Sequence, residues 1–367
     1  MPKTLETVLE IDLNALKHNF AYLQSKINTK TKFLAVVKAY GYGTDATIIA
    51  KTLEELHVDY FAVAYVSEGI ALRNDGIKTP ILVLHPQITN FKAIIDNCLE
   101  PNIYSKRILQ AFLQFCKEYC QTDYPIHLKF NTGLNRLGFT IEDVDYVLSE
   151  MKSSKYIKAA SVFSHLGASE DLNEKDFTLQ QIHLFKQISA QLIKGLDYKP
   201  ILHTLNTSGI LNYPEAQFDM VRSGIGLYGF ANDDTITKHL KIVASLKSVI
   251  SQIHHIKKGY SVGYNKGFIA NADIVSATIP IGHADGIFRA YGKGKGFVKI
   301  NNKKAYILGN VCMDMLMVDV TNINCKEGDE VIIFDNQQMV NELAASINSI
   351  PYEIITAVSQ RVKRIVK

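Results

Sequence analysis

The chain has 367 residues, 47% of them hydrophobic, and its 40 Lys and Arg against 36 Asp and Glu leave a formal net charge of +4. That length exceeds one ordinary domain and suits two, and the apolar content supplies a large core. The near balance of charge removes the electrostatic argument for nucleic acid or an anionic membrane as partner. The five cysteines, Cys98, Cys116, Cys120, Cys312 and Cys325, are scattered without CxxC spacing, so neither a disulfide framework nor a zinc site is expected. There is no apolar amino-terminal segment and no unbroken run of eighteen apolar residues, which leads to the expectation of a cytoplasmic protein.

Short apolar, β-branched runs recur through the first 230 residues: FLAVVK (33–38), YFAVAY (60–65), PILVLH (80–85), NIYS (102–105), IHLKFN (126–131), AASVFSH (159–165), ILHTLN (201–206) and DMVRSGIGLYG (219–229). Stretches such as ATIIAKTLEEL, KRILQAFLQFCKEY and NEKDFTLQQIHLFKQISAQLIKG lie between them with helical periodicity. Eight apolar strands alternating with helices predict a parallel sheet covered on both faces. Eight is the number that closes a (β/α)8 TIM barrel, with a doubly wound open sheet as the alternative.

After about residue 235 the texture changes to closely spaced strand candidates separated by glycine and asparagine turns: IVASLKSVISQIHHIKKG, DIVSATIPIG, GFVKI, KAYILG, VCMDMLMVDV and DEVIIFD. One helical segment, MVNELAASI, interrupts them. The expected division is a barrel over 1–235 and a mostly antiparallel β domain over 236–367, with the first ~10 residues joining the β domain.

In a barrel of this kind chemistry gathers at the carboxyl ends of the strands. The polar residues there are Lys38 with Tyr42, Lys129 and Asn131, His165, Asn206 with Thr207, and Arg222 with Gly224. Each alone has a structural explanation: a solvated strand end for Lys38, a hydrogen-bonded core histidine for His165, an Asp219 ion pair for Arg222. Together they converge on one mouth. The loops after the seventh and eighth strands form the usual phosphate site of this fold, and Thr207 with the amides of Ser223, Gly224 and Ile225 can cradle a phosphate without a lysine. Lys38 is then free to form a Schiff base, which is what pyridoxal phosphate requires.

The stretch AVVKAYGYG resembles the pyridoxal phosphate attachment motif of alanine racemases. Similar matches continue in the family's order: LKFNTGLNRLGF, SHLGASED, HTLNTSGI, MVRSGIGLYG, GYSVGYN, TIPIGHADG, GNVCMDMLMVDV and IPYEIITAVSQRV. The resemblance implies a racemase that interconverts L-alanine and D-alanine with pyridoxal phosphate, supplying D-alanine for peptidoglycan. It implies that Lys38 binds the cofactor and acts as one of two proton-transfer bases. It implies that Tyr264 is the second base, contributed by the partner subunit of a homodimer with shared sites. Tyr42, Thr207, the amides of Gly224 and Ile225, and Tyr352 match phosphate ligands, with Asn206 beside them. Arg222 matches the partner of the pyridine nitrogen, and His165 the link from Arg222 to the tyrosine base. Arg136 and the amide of the partner's Met313 match contacts to the substrate carboxylate, and Lys129 matches a lysine that many members carbamylate.

Several positions depart from the family pattern: Asn131 and Asn135 stand where aspartate and glycine are common, His283 where tyrosine is usual, and Asn310 where arginine often precedes VCMD. The last two correspond to the family's substrate corridor. Amino-acid decarboxylases of the same architecture use a carboxylate at the pyridine nitrogen, and Arg222 argues against them. Single-barrel cofactor carriers lack the second domain that bears Tyr264 and Met313.

Overall fold

The computed structural model describes residues 6–231 and 234–367. The first strand, β1 (Val8–Ile11), precedes eight parallel strands: β2 (Lys32–Val36), β3 (Tyr60–Val63), β4 (Ile81–Val83), β5 (Glu100–Ile103), β6 (Tyr124–Lys129), β7 (Ile157–Phe163), β8 (Ile201–His203) and β9 (Met220–Ser223). They lie in chain order, and β9 returns to pair with β2. Between β8 and β9 the ring is joined by Asp219 N donating to Leu202 O and Arg222 N to Leu205 O, both at 3.0 Å. The sheet is therefore a barrel, and the open doubly wound alternative falls away.

Two packed layers explain why these runs are apolar throughout. Leu34, Ala62, Leu82, Phe163 and Met220 form one buried cluster contributed by five of the barrel strands. A much larger core joins strand residues such as Phe33, Phe61 and Val83 to the surrounding helices. Burial on both faces leaves no polar alternation to read. The helices begin at side-chain caps: Asp45 accepts from Thr47 N and Ile48 N at the start of Ala46–Glu55, and Ser105 from Ile108 N at the start of Lys106–Glu118. Asp219 does not pair with Arg222. It accepts from Lys199 Nζ at 2.7 Å instead.

The rest of the chain supplies β10 (Ala244–Val249), β11 (Gln252–Ile256), β12 (Ser261–Val262), β13 (Phe268–Ile269), β14 (Ile274–Ile279), β15 (Phe297–Ile300), β16 (Lys303–Leu308), β17 (Leu316–Asp319), β18 (Glu330–Phe334) and β19 (Lys363–Val366). Nine strands make one sheet in the order β11-β14-β17-β16-β15-β18-β10-β1-β19, and β12 and β13 form a separate hairpin. All these pairings are antiparallel except β1 with β19. Of the first ten residues expected to join this domain, 1–5 lie outside the described residues, while Val8–Ile11 pair on both sides within its sheet. Besides the expected helix, here Gln337–Ser346, this region holds a second one, Pro351–Thr356. Its six residues are too few to show helical periodicity, and Pro351 presets its first turn. Among the described residues no helix is long and apolar enough to cross a membrane, and all five cysteines are free thiols.

Candidate active site

The first strand of the barrel stops at Val36, two residues before Lys38. Beyond Lys38 the chain makes a turn of unusual hand. Ala39, Tyr40, Gly41, Tyr42 and Gly43 all have positive φ, from 53° to 82°, and form a left-handed helical turn closed by Gly41 N to Val37 O and Gly43 N to Ala39 O. Glycine accepts that conformation freely, whereas Ala39, Tyr40 and Tyr42 do so at roughly 1–2 kcal/mol each. Neighbours hold the turn in place. Glu68 accepts from Ala39 N at 2.6 Å while also capping its own helix through Ala64 N and Tyr65 N. Arg364 of β19 donates to the carbonyls of Gly43 at 2.9 Å and Thr44 at 3.0 Å. A Cβ at Gly43 would overlap Ile355 O, so only glycine lets the turn approach the Pro351–Thr356 helix, where Tyr352 lies 6.2 Å from Tyr42 between ring centroids.

The turn delivers Lys38 and Tyr42 to a cavity of about 710 Å³ at the mouth of the barrel. Lys129, Arg136, His165 and Arg222 line it with them, as do Asn206, Thr207, Gly224, Ile225 and Tyr352. Tyr264 and Met313 do not line it. They sit on the β domain with 73% and 58% of their surface exposed, and Tyr264 opens a one-turn 3-10 helix between β12 and β13. Asn310 Nδ2 donates to Tyr264 O at 3.1 Å, so the residue standing where arginine is common holds this turn. His283 begins another short turn, whose amide donates to Cys312 O at 2.9 Å. Asn131 Oδ1 accepts from the amides of Gly133 and Asn135 and thus shapes the loop that leads to Arg136.

The mouth is cationic. Lys38, Lys129, Arg136 and Arg222 gather there, and none of them forms a salt bridge to a carboxylate among the described residues. Burial, then Arg136, lowers the pKa of Lys38, against a smaller opposing pull from Glu68. Burial and then Arg222, Arg136 and Lys38 bring Lys129 down to about 7. The same causes, burial first and Arg222 second, hold His165 well below its ordinary value. The aromatic face of Phe163 lies 5.4 Å from the Arg222 guanidinium and 5.3 Å from Lys129 Nζ. Arg222 donates to Ser164 O at 2.7 Å, Thr204 O at 3.0 Å, His203 Nδ1 at 2.6 Å and His165 Nδ1 at 3.2 Å. A guanidinium has no acceptor, so both Nδ1 atoms present lone pairs and both rings are neutral with the proton on Nε2.

On the opposite wall, the buried amides of Gly224 and Ile225 find no acceptor among the described residues. A buried, unpaired N–H is costly, and two side by side beside the Thr207 hydroxyl form a receptor for an anion. A Cβ at Gly224 would overlap Tyr42 Oη and approach Tyr42 Cζ to 2.7 Å, so the cradle depends on glycine. Asn206 supports it by accepting from Gly209 N and from Ser169 Oγ. Burial raises the pKa of Tyr42 and pushes Tyr352 up to about 12, so both phenols are hydrogen-bond donors at neutral pH. The donor set therefore fits a phosphate, and the amine across from it fits a carbonyl partner.

Three contributors escape a reading of the sequence: Glu68, His203 and Arg364. His203 has a faint signal there, as the one imidazole inside an otherwise apolar seventh strand. Glu68 and Arg364 have none, because each acts on the backbone of a distant segment.

A (β/α)8 barrel with a strand-end amine, an anion cradle and an appended antiparallel domain defines a pyridoxal phosphate-dependent barrel enzyme. Comparison with known proteins gives the same class and narrows it. Family models described as the alanine racemase N-terminal and C-terminal domains match residues 11–232 and 243–366. An alanine racemase of Fusobacterium nucleatum is 36% identical over 99% of this chain and 100% of its own. The structure of the Clostridium difficile 630 alanine racemase superposes with a TM-score of 0.93 at 31% identity, covering 100% of this chain and 97% of that one. A Bartonella henselae alanine racemase with covalently bound pyridoxal phosphate superposes at 0.90 with 27% identity, over 99% of this chain and 100% of its own. The chain belongs to the alanine racemase family.

Proposed function

We propose that this protein interconverts L-alanine and D-alanine by a two-base mechanism, with Lys38 on one face of the substrate and Tyr264 of the partner subunit on the other. Pyridoxal phosphate, when bound, supplies the electron-withdrawing ring that acidifies the α-hydrogen of the amino acid. The chain's own residues do the rest. Gly224, Ile225, Thr207, Tyr42 and Tyr352 hold the phosphate, with Asn206 buttressing the Thr207 turn. Lys38 anchors the cofactor, and burial and Arg136, by lowering its pKa, favour the neutral amine, the form able to take the α-proton. Arg222, a donor only, would meet the ring nitrogen and would not stabilise a proton on it. His165 turns its Nε2–H toward the place that the tyrosine base takes, and a donor there favours a phenolate.

Arg136 orients the substrate carboxylate, joined by the amide of Met313 of the partner subunit. Lys129 has the lowered pKa and the lack of a carboxylate partner that suit carbamylation: its neutral amine adds to CO2 and releases one proton, which places a negative charge beside Arg136. The exposure of Tyr264 and Met313 supports a homodimer in which each β domain completes the partner's site. On this reading 1–235 hold the cofactor, 236–367 supply the second base, and the enzyme makes D-alanine for peptidoglycan in the cytoplasm.

The observation that carries the reading is the meeting, in one buried cavity, of a lysine of lowered pKa with the two unpaired amides of Gly224 and Ile225. The test is incubation of the purified protein with L-alanine, with borohydride-treated protein as control. D-alanine should form only in the untreated sample, and its absence there refutes the proposal.

A further inference from the structure

A continuous line of buried hydrogen bonds leaves the mouth through the barrel and ends on a carboxylate near its other end. It uses one residue from each of five successive strands: Glu100 on β5, His127 on β6, Ser161 on β7, His203 on β8 and Arg222 on β9. His127, Ser161 and His203 are fully buried, and Glu100 keeps only 12% of its side chain exposed. We propose that Glu100 is a positioning residue for the cofactor ring, acting through a one-way relay of hydrogen bonds that ends on Arg222. The proposal rests on the reading that Arg222 faces that ring.

The direction of every bond is set by the two ends. Arg222 can only donate, so His203 Nδ1, 2.6 Å away, carries a lone pair and the proton sits on Nε2. His203 Nε2–H then donates to Ser161 Oγ at 2.9 Å. With one lone pair so engaged, the hydroxyl turns its own hydrogen to His127 Nδ1 at 2.6 Å. His127 Nε2–H is left to donate to Glu100 Oε2 at 2.7 Å, and a carboxylate can only accept. Each link polarises the next in a buried, low-dielectric interior, so the carboxylate makes His203 Nδ1 a better acceptor. Tyr60 also hydrogen-bonds Glu100, and Phe163 stacks on His203 at 4.9 Å and 4°, which fixes the ring plane.

The consequence concerns Arg222. Among the described residues it pairs with no carboxylate: Ser164 O, Thr204 O and His165 hold Nη2, and His203 Nδ1 is the acceptor that holds Nη1. Were His203 to turn over or take the other tautomer, an N–H would face a guanidinium N–H. Nη1 would then lose its acceptor, and the guanidinium would tilt about the bonds that hold Nη2. No proton moves along the relay; its work is to keep one tautomer and one orientation.

The test uses full-length holoenzyme with 15N-labelled histidine. In the wild type both His203 and His127 should be neutral Nε2–H tautomers; either one found as Nδ1–H, or His127 found doubly protonated, overturns the relay. That reading needs no racemase activity, so it stands apart from failure of the proposed function. Ser161→Ala should release the His127 tautomer, shift the visible absorption of the bound cofactor and lower kcat on the order of tenfold with KM nearly unchanged. Ser161→Thr, which restores the hydroxyl, should recover all three. A Ser161→Ala enzyme with wild-type spectrum and kcat refutes the positioning role.

Discussion

Arg364→Met isolates the contact that ties β19 to the left-handed turn following Lys38. The guanidinium donates to five backbone carbonyls: Gly43 and Thr44 in the left-handed turn, and Val358, Ser359 and Val362 in its own segment. The turn stores strain at Ala39, Tyr40 and Tyr42, whose φ values of 54°, 56° and 53° cost about 3–6 kcal/mol together at roughly 1–2 kcal/mol per residue. The two charge-assisted bonds to Gly43 and Thr44 contribute roughly 1.5–3 kcal/mol each, the same size as the strain they oppose. Methionine keeps much of the apolar stem and removes the donors, so packing is largely preserved. When the turn relaxes, part of the loss is recovered as strain relief, and the unfolding free energy should fall by about 2–4 kcal/mol. Urea unfolding at constant m measures that fall, and titration with pyridoxal phosphate should show affinity weakened at least about tenfold as Lys38 and Tyr42 lose register. A variant within about 0.5 kcal/mol of wild type that binds the cofactor equally well would show that the turn does not depend on Arg364.

Gly224→Ala drives a methyl group into the Tyr42 hydroxyl, so cofactor affinity should drop on the order of 100-fold at a stability cost of about 1–3 kcal/mol, read by absorbance titration and thermal melts. Tyr264→Phe should cut kcat on the order of 100-fold or more and leave the spectrum of the bound cofactor unchanged; an active variant removes Tyr264 from the second-base role. Asn310→Ala frees the Tyr264 carbonyl, and loss of one bond of about 1 kcal/mol should lower kcat about fivefold without moving the melting temperature. Lys129 gives a pH dependence of fixed sign. Its folded pKa of about 7 lies below the ordinary lysine value of 10.5, so between these values the unfolded chain binds the extra proton and stability rises with pH. Cofactor-free protein in CO2-free buffer should therefore gain up to about 1.4 kcal/mol per pH unit from this group between about pH 7.5 and 9, a slope that Lys129→Met removes.

The barrel is legible in the sequence because each of its strands is buried on both faces, and FLAVV or PILVL has no other reason to be apolar from end to end. The strand-end residues are legible for a related reason: Lys38, His165 and Arg222 interrupt apolar runs where solvation alone would not require them. The nine-stranded sheet is not, since its order interleaves β1 from the amino terminus with β10, β18 and β19, and pairing across hundreds of residues leaves no local periodicity. The hand of the Lys38 turn is hidden too, because only two of its five positive-φ residues are glycine. The other three are held there by Glu68 and Arg364, which lie about 30 and 320 residues away along the chain.

The same limit applies to the relay, and it explains why the site is more than its lining. Ser161 and His127 look like ordinary strand residues until the barrel brings neighbouring strands within hydrogen-bonding distance. A guanidinium buried without a carboxylate needs other acceptors, and among the described residues Arg222 finds them in two carbonyls and two imidazoles. Those two imidazoles point in opposite directions, His165 to the mouth and His203 back through the barrel to Glu100. On the proposed reading, Arg222 at the ring nitrogen thereby also orients His165, the residue placed to meet the tyrosine base. A change as remote as Ser161→Ala should accordingly be felt in the spectrum of the bound cofactor before it is felt in the stability of the fold.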